Sequence, residues 1–157
     1  MIRLALTIAC LLACGFADAC SRREGAPTLE ESYASAKEVF VAHVVDAHER
    51  DAPRAWGESE AQTVVEAKYS IKESLKGDAP RVGEVYDLPD GIGNCSIPLV
   101  AGHDYVFFVQ PHDGTPDVRF VGMMSGSFAL DTDAAAAANL DRVRKLAHKE
   151  SNLGNPR

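Results

Sequence analysis

The chain has 157 residues, 46% hydrophobic and 25% charged, with a formal net charge of −7 and four cysteines. That balance fits one globular domain with a hydrophobic core of its own. An acidic chain without a basic run argues against nucleic-acid binding, which needs Lys and Arg against phosphate.

In chain order, Met1-Ile2-Arg3 is a minimal positive start, and Leu4 to Ala13 is apolar apart from Thr7 and Cys10. The run is about right for a signal-peptide core and too short for a bilayer span, which takes ~20 residues. Ala17-Asp18-Ala19 has the small-x-small form that a signal peptidase cuts, so residues 1–19 read as a leader and Cys20 as the first mature residue. A second processing route competes. Leu11-Leu12-Ala13-Cys14 resembles a lipobox and would give a lipoprotein anchored at Cys14, although Leu12 is bulky for its position and the leader is very short. The reading adopted is a secreted or periplasmic protein, with a membrane-anchored lipoprotein as the alternative. No later segment is apolar enough to cross a membrane. Cys10 and Cys14 leave with the leader, so Cys20 and Cys95 remain. An even count in an oxidising compartment makes a disulfide between them the simplest expectation. Closing so long a loop stabilises by about 4 kcal/mol in the chain-entropy picture.

Residues 20–157 then read as one domain without repeats or linkers. Thr28-Leu29-Glu30-Glu31 is a capping box and predicts a short helix from Leu29 to Ala36, with Leu29, Tyr33 and Ala36 inward. Glu38 to Asp46 is β-branched and aromatic, a first strand. Arg50 to Ser59, broken by Pro53 and Gly57, is a loop that carries Trp56, the one exposed-looking large aromatic. Gln62 to Ser74 alternates as a long second strand, turned by Lys76-Gly77-Asp78. Gly83 to Leu88 is a third, closed by Pro89-Asp90-Gly91, and Ile92 to Pro98 is a loop around Cys95. His103 to Gln110 is a strongly apolar strand. Pro111 to Pro116 connects it to Val118–Val121, and Phe128 to Leu130 is a short last strand. Asp131-Thr132-Asp133 caps a helix running to about Lys149, with Ala138, Leu140, Val143 and Leu146 as its apolar stripe. The fold expected is mainly β: a small closed OB-like barrel with a short N-terminal helix and a C-terminal helix, because closure removes the exposed edges of an open sheet.

Five pieces in order resemble the netrin-like domain of the tissue inhibitors of metalloproteinases and their bacterial relatives. They are Cys20-Ser21 after the leader, LEESYASAKEVFVAHVV at Leu29–Val45, YSIKESLKG at Tyr69–Gly77, Cys95 after a turn, and VAGHDYVFF at Val100–Phe108. The likeness spans most of Cys20 to Leu130. In that family the N-terminal cysteine pairs with a mid-chain cysteine, which matches Cys20 with Cys95. A second family disulfide is missing: its positions hold Arg22 and, approximately, Met124.

The resemblance implies an inhibitor of zinc metalloproteinases with no catalytic activity and no cofactor of its own. The α-amine and carbonyl of Cys20 would chelate the partner's zinc at the position that catalytic sites leave open to water. Ser21 would point toward the enzyme's specificity pocket. Gly93, Asn94, Ser96 and Ile97, flanking the bridge, would complete the inhibitory edge. The alternative is a netrin-like structural or protein-binding module of the cell envelope, in which Cys20–Cys95 is a staple. Other features read as local structure. His43 and His48 do not share a face, no HExxH is present, and His43, His48, His103 and His112 read as surface or strand histidines. Met123-Met124-Ser125-Gly126-Ser127 is not G-x-S-x-G.

Overall fold

A computed structural model describes residues 27–51, 63–89, 96–110, 118–132 and 134–153. In order, its elements are helix α1 (Leu29–Ser35), strands β1 (Glu38–Asp51), β2 (Thr63–Lys76), β3 (Val82–Asp87) and β4 (Asp104–Val109), a 3-10 turn (Met123–Ser125), strand β5 (Phe128–Ala129) and helix α2 (Ala136–Leu153). The strands form one sheet in the order β3-β2-β1-β4-β5, antiparallel throughout. The protein is mainly β, with a helix at each end of the sheet's sequence.

Its first helix starts where the capping box puts it. The Thr28 hydroxyl accepts from the Glu31 amide at 3.2 Å, and the Glu31 carboxylate accepts from the Thr28 amide at 2.7 Å. At the other end Lys76 Nζ donates to the carbonyls of Tyr33 and Ala34, meeting backbone acceptors that a helix terminus leaves open.

β1 and β4 read as almost unbroken apolar runs because both of their faces are covered. Phe40, Ala42 and Val44 turn to one side, with Tyr69, Val85, Tyr105, Phe107 and Val121. Val39 and Val41 turn to the other, joining Val106, Phe108 and Phe128 beneath Tyr33 of α1 and Val143 of α2. The first cluster is aromatic at its centre: Phe40 and Phe107 meet edge-on at 5.8 Å, and Tyr105 stacks on Phe107 at 5.3 Å.

Tyr69 shows how tightly this face is filled. Its ring lies over Gly83, its register partner on β3, where an added Cβ would come within 2.7 Å of the phenol oxygen. Among the described residues the same hydroxyl is buried without a hydrogen-bond partner, and an unmade bond in the interior is costly. Tyr69→Phe is therefore expected to raise unfolding stability by about 1 kcal/mol. Urea denaturation measures this, and a loss of stability would show that the hydroxyl is satisfied.

Three expectations need correcting. The first strand was expected to end at Asp46, but β1 runs on to Asp51 and pairs with β2 along its length, through shifts at Val39/Phe40, Val41/Ala42 and Val44/Asp46. Most side chains of residues 46–51 face solvent, whereas Ala47 packs against the aromatic cluster and its β2 partner Ala67 is fully buried. The second helix starts at Ala136 rather than at the Asp131 cap, and its early core contact is Ala136, while Ala138 is exposed. Asp131 is engaged elsewhere: its carboxylate accepts from the Asp104 amide at 3.0 Å and lies 3.3 Å from His103 Nδ1.

Most important, Val118–Val121 is not a strand of a closed barrel. Phe120 makes one isolated bridge to Tyr86 on β3 and one to Gln110 just after β4. The Tyr86 amide donates to Arg119 O and the Val121 amide to Tyr86 O, both at 2.8 Å. One residue touching strands from both halves of the sheet requires the sheet to curl, but among the described residues no ladder closes it. Phe120 meets the β3 edge only at Tyr86 and the chain after β4 only at Gln110. The expected OB-like barrel is thus an open, curled sheet.

A buried ion pair fixes the bridging segment. Arg119 Nε donates to Glu38 Oε2 at 2.8 Å, and only 7% of the Glu38 side chain is exposed. Arg119→Met removes this partner from a buried carboxylate and is expected to cost about 3 kcal/mol. A lower urea midpoint with an unchanged slope would record it; an unmoved midpoint would mean that Glu38 is solvated.

Candidate functional site

Cys20, Ser21, Arg22, Gly93, Asn94 and Cys95 lie outside the described residues, as do Cys14, Trp56 and His112. Of the expected inhibitory edge, Ser96 and Ile97 are placed. They open the segment 96–100, which has no strand ladder and is attached to the sheet by two side chains.

The first is Asp87, the last residue of β3, only 1% exposed. Its two carboxylate oxygens are divided: Oδ1 accepts from the Leu88 amide and Oδ2 from the Ile97 amide, each at 2.8 Å. Burial pushes its pKa up to about 7, against the opposing pull of the Ile97 and Leu88 amides. The second is Tyr105 on β4. Its hydroxyl donates to Pro98 O at 2.6 Å and accepts from the Val100 amide at 2.9 Å. Burial raises this phenol too, so it stays a protonated donor.

Between these clamps the side chains turn inward. Ile97 and Leu99 belong to the aromatic cluster of the sheet, and the Ser96 hydroxyl is buried without a partner among the described residues. A contact made here would use backbone and not the Ile97 side chain. Met124, at one position of the missing second disulfide, lies in the 3-10 turn with 54% of its surface exposed. Sequence reasoning missed both clamps. The available signal was an aspartate inside the apolar VYDLP stretch, where a charge needs a local reason.

The histidines of β1 engage carboxylates. His43 Nδ1 lies 2.7 Å from Asp104 Oδ1, while Lys72 holds the other oxygen of Asp104. Burial pulls the Asp104 carboxyl upward, but bonds from Lys72 and His43 outweigh it and hold its pKa below the ordinary value. His48 lies 3.4 Å from Asp46 and 3.7 Å from Glu66, whose carboxylate is bound by Arg50. Among the described residues no three His, Cys, Asp or Glu side chains converge as metal ligands.

The serines near Gly126 serve a turn. Ser125 Oγ donates to Gly122 O at 2.6 Å, and Ser127 Oγ accepts from the Phe108 amide at 2.9 Å, replacing a ladder bond beside β5. Gly126 takes φ +96 there, and a Cβ on it would meet the Ser32 side chain at 2.6 Å. A shallow groove of about 850 Å³ runs between β2 and α2, but its Arg144 is already bound by Glu73 at 2.7 Å. No helix among the described residues is long and apolar enough to cross a membrane. Compared with models of known protein families and with curated proteins, the chain matches none of either.

Proposed function

We propose that the mature protein is an exported inhibitor of zinc metalloproteinases, built on a netrin-like plan, whose reactive group is the Cys20 terminus. A neutral α-amine and the carbonyl oxygen of the same residue close a five-membered ring on a metal. The free amine has a pKa near ~8, and a metal beside it favours the neutral form. Ser21 would follow into the specificity pocket, and Gly93 and Asn94 would flank the contact.

Chelation works only if the terminus is held still, since ordering a loose one costs affinity. The observation carrying the proposal is the double attachment of 96–100 by Asp87 and Tyr105. It holds the chain from Ser96 onward against the sheet, and a Cys20–Cys95 bond would tie the amine to the residue that precedes it. The experiment is to titrate the mature chain, and a form with one alanine ahead of Cys20, against a panel of zinc metalloproteinases. N-terminal mass and non-reducing peptide mapping are run on the same sample. Free thiols at both cysteines would remove the tether and the proposal with it.

A second reading keeps the staple without the zinc: a structural or protein-binding module of the cell envelope. The inward-turned side chains of Ser96 and Ile97 favour it, because they offer little to a partner. A chain lipidated at Cys14 would also belong here, for it presents no Cys20 amine.

A further inference from the structure

We propose that the groove between β2 and α2 docks an extended acidic segment of another protein by strand addition, with its carboxylates against Lys145 and Lys149. The proposal is independent of any inhibitory role of the Cys20 terminus. Two observations, one of charge and one of backbone, meet at the same place. The groove has Lys145, His148 and Lys149 of α2 on one wall and Glu73, Ser74 and Leu75 of β2 on the other.

The charge here runs against that of the chain, which is −7 overall. The carboxylates nearby are already engaged: Glu73 by Arg144 at 2.7 Å, Glu30 by Arg142 at 2.7 Å, and Glu150 by the Tyr33 hydroxyl at 2.8 Å. Asp141, one turn before Lys145, lies 3.8 Å from Arg144. Among the described residues no carboxylate forms an ion pair with Lys145 or Lys149, and both side chains are exposed. Their spacing, with His148 between them, puts all three on one stripe of the helix. The wall of α2 therefore presents positive charge that the protein itself leaves unanswered.

The other wall is a strand edge. β3 pairs with β2 only from Val65 to Ser70, and the Ile71 amide then donates to Arg81 O at 2.8 Å. From Lys72 to Lys76, among the described residues, β2 is paired with β1 alone. Apart from Leu75 O, which accepts from the Tyr33 hydroxyl at 3.2 Å, the outer backbone groups of this stretch are open to an added strand. Alternate side chains of a strand share a face, so carboxylates at every second position would all turn toward α2. A second copy of this chain is the poorer occupant. Pairing this edge with itself about Ser74 would set Lys72 opposite Lys76, and like charges directly opposite are destabilising.

The probe is a blocked peptide alternating glutamate and threonine, titrated to millimolar concentration into the isotope-labelled protein and followed by NMR. Amide shifts are expected at residues 72–76 and 145–152, with slower hydrogen exchange at 72–76, where main-chain bonds form. Affinity should fall about tenfold in the double variant Lys145→Gln, Lys149→Gln. It should also fall as salt is raised toward physiological strength, a test that needs no variant and so survives any misfolding of the substituted protein. No shift at the groove, shifts without slowed exchange at 72–76, or indifference to salt would each overturn the proposal. So would equal binding of a peptide with glutamine in place of glutamate, or unchanged affinity in a folded double variant. Binding to vesicles containing phosphatidylglycerol, with none to the peptide, would also reject it and make this face a lipid contact.

Discussion

One alanine placed before Cys20 is expected to weaken inhibition more than about a hundredfold, roughly 3 kcal/mol at 1.4 kcal/mol per tenfold. The addition turns an amine into a peptide amide. An amine nitrogen keeps its lone pair for the metal, whereas an amide nitrogen delocalises its pair into the carbonyl. The thiol, the disulfide and nearly all of the contact surface are unchanged, so the experiment isolates one donor atom. The melting temperature should not move, because the addition changes none of the residues of the described core, which begin at Tyr33. Equal inhibition by the two forms would reject chelation while leaving the fold untouched. Inhibition by neither form would favour the envelope-module reading.

Phe107→Ala is expected to be the most damaging single truncation of the sheet, at about 4 kcal/mol. Phe107 is fully buried on β4 and touches three rings: Phe40 at 5.8 Å, Tyr105 at 5.3 Å and Tyr69 at 6.5 Å. Those neighbours stand on three strands, β1, β4 and β2, and cannot collapse together into the space left behind. The cost is the lost transfer energy plus a cavity that stays open. Chemical denaturation would measure it. A loss under about 1.5 kcal/mol would mean that the cluster repacks as freely as for a volume-conserving change.

The elements themselves were largely legible. Thr28 and Glu31 define the start of α1 because a capping box is a local exchange of two hydrogen bonds, complete within four residues. The apolar runs at Glu38 and His103 mark the two strands covered on both faces, since burial there does not alternate. Val143 and Leu146 lie on the buried stripe of α2, as helical spacing puts them. What was not legible involved groups far apart in sequence. Asp131 looked like a helix cap because its competitor, the Asp104 amide, lies 27 positions away. Val118–Val121 looked like a closing strand because β propensity does not say how many partners a residue finds.

The candidate site divides along the same line. The proposed covalent chemistry rests on local sequence alone: a motif of the cleavage type, the cysteine after it, a second cysteine at position 95, and the capacity of an α-amine to bind zinc. The attachment of that loop was not readable, because Asp87 and Tyr105 act through distant backbone amides and carbonyls that have no sequence signature. Capping, alternation and helical spacing are short-range consequences of backbone geometry, so the chain by itself determined its strands, its helices and which faces they bury. Closure, clamping and the ionisation of a buried carboxylate depend on what distant segments bring to one point. Only the tertiary structure decided that, among the described residues, no ladder closes the sheet at Phe120 and no cation joins the two amides that hold the buried Asp87.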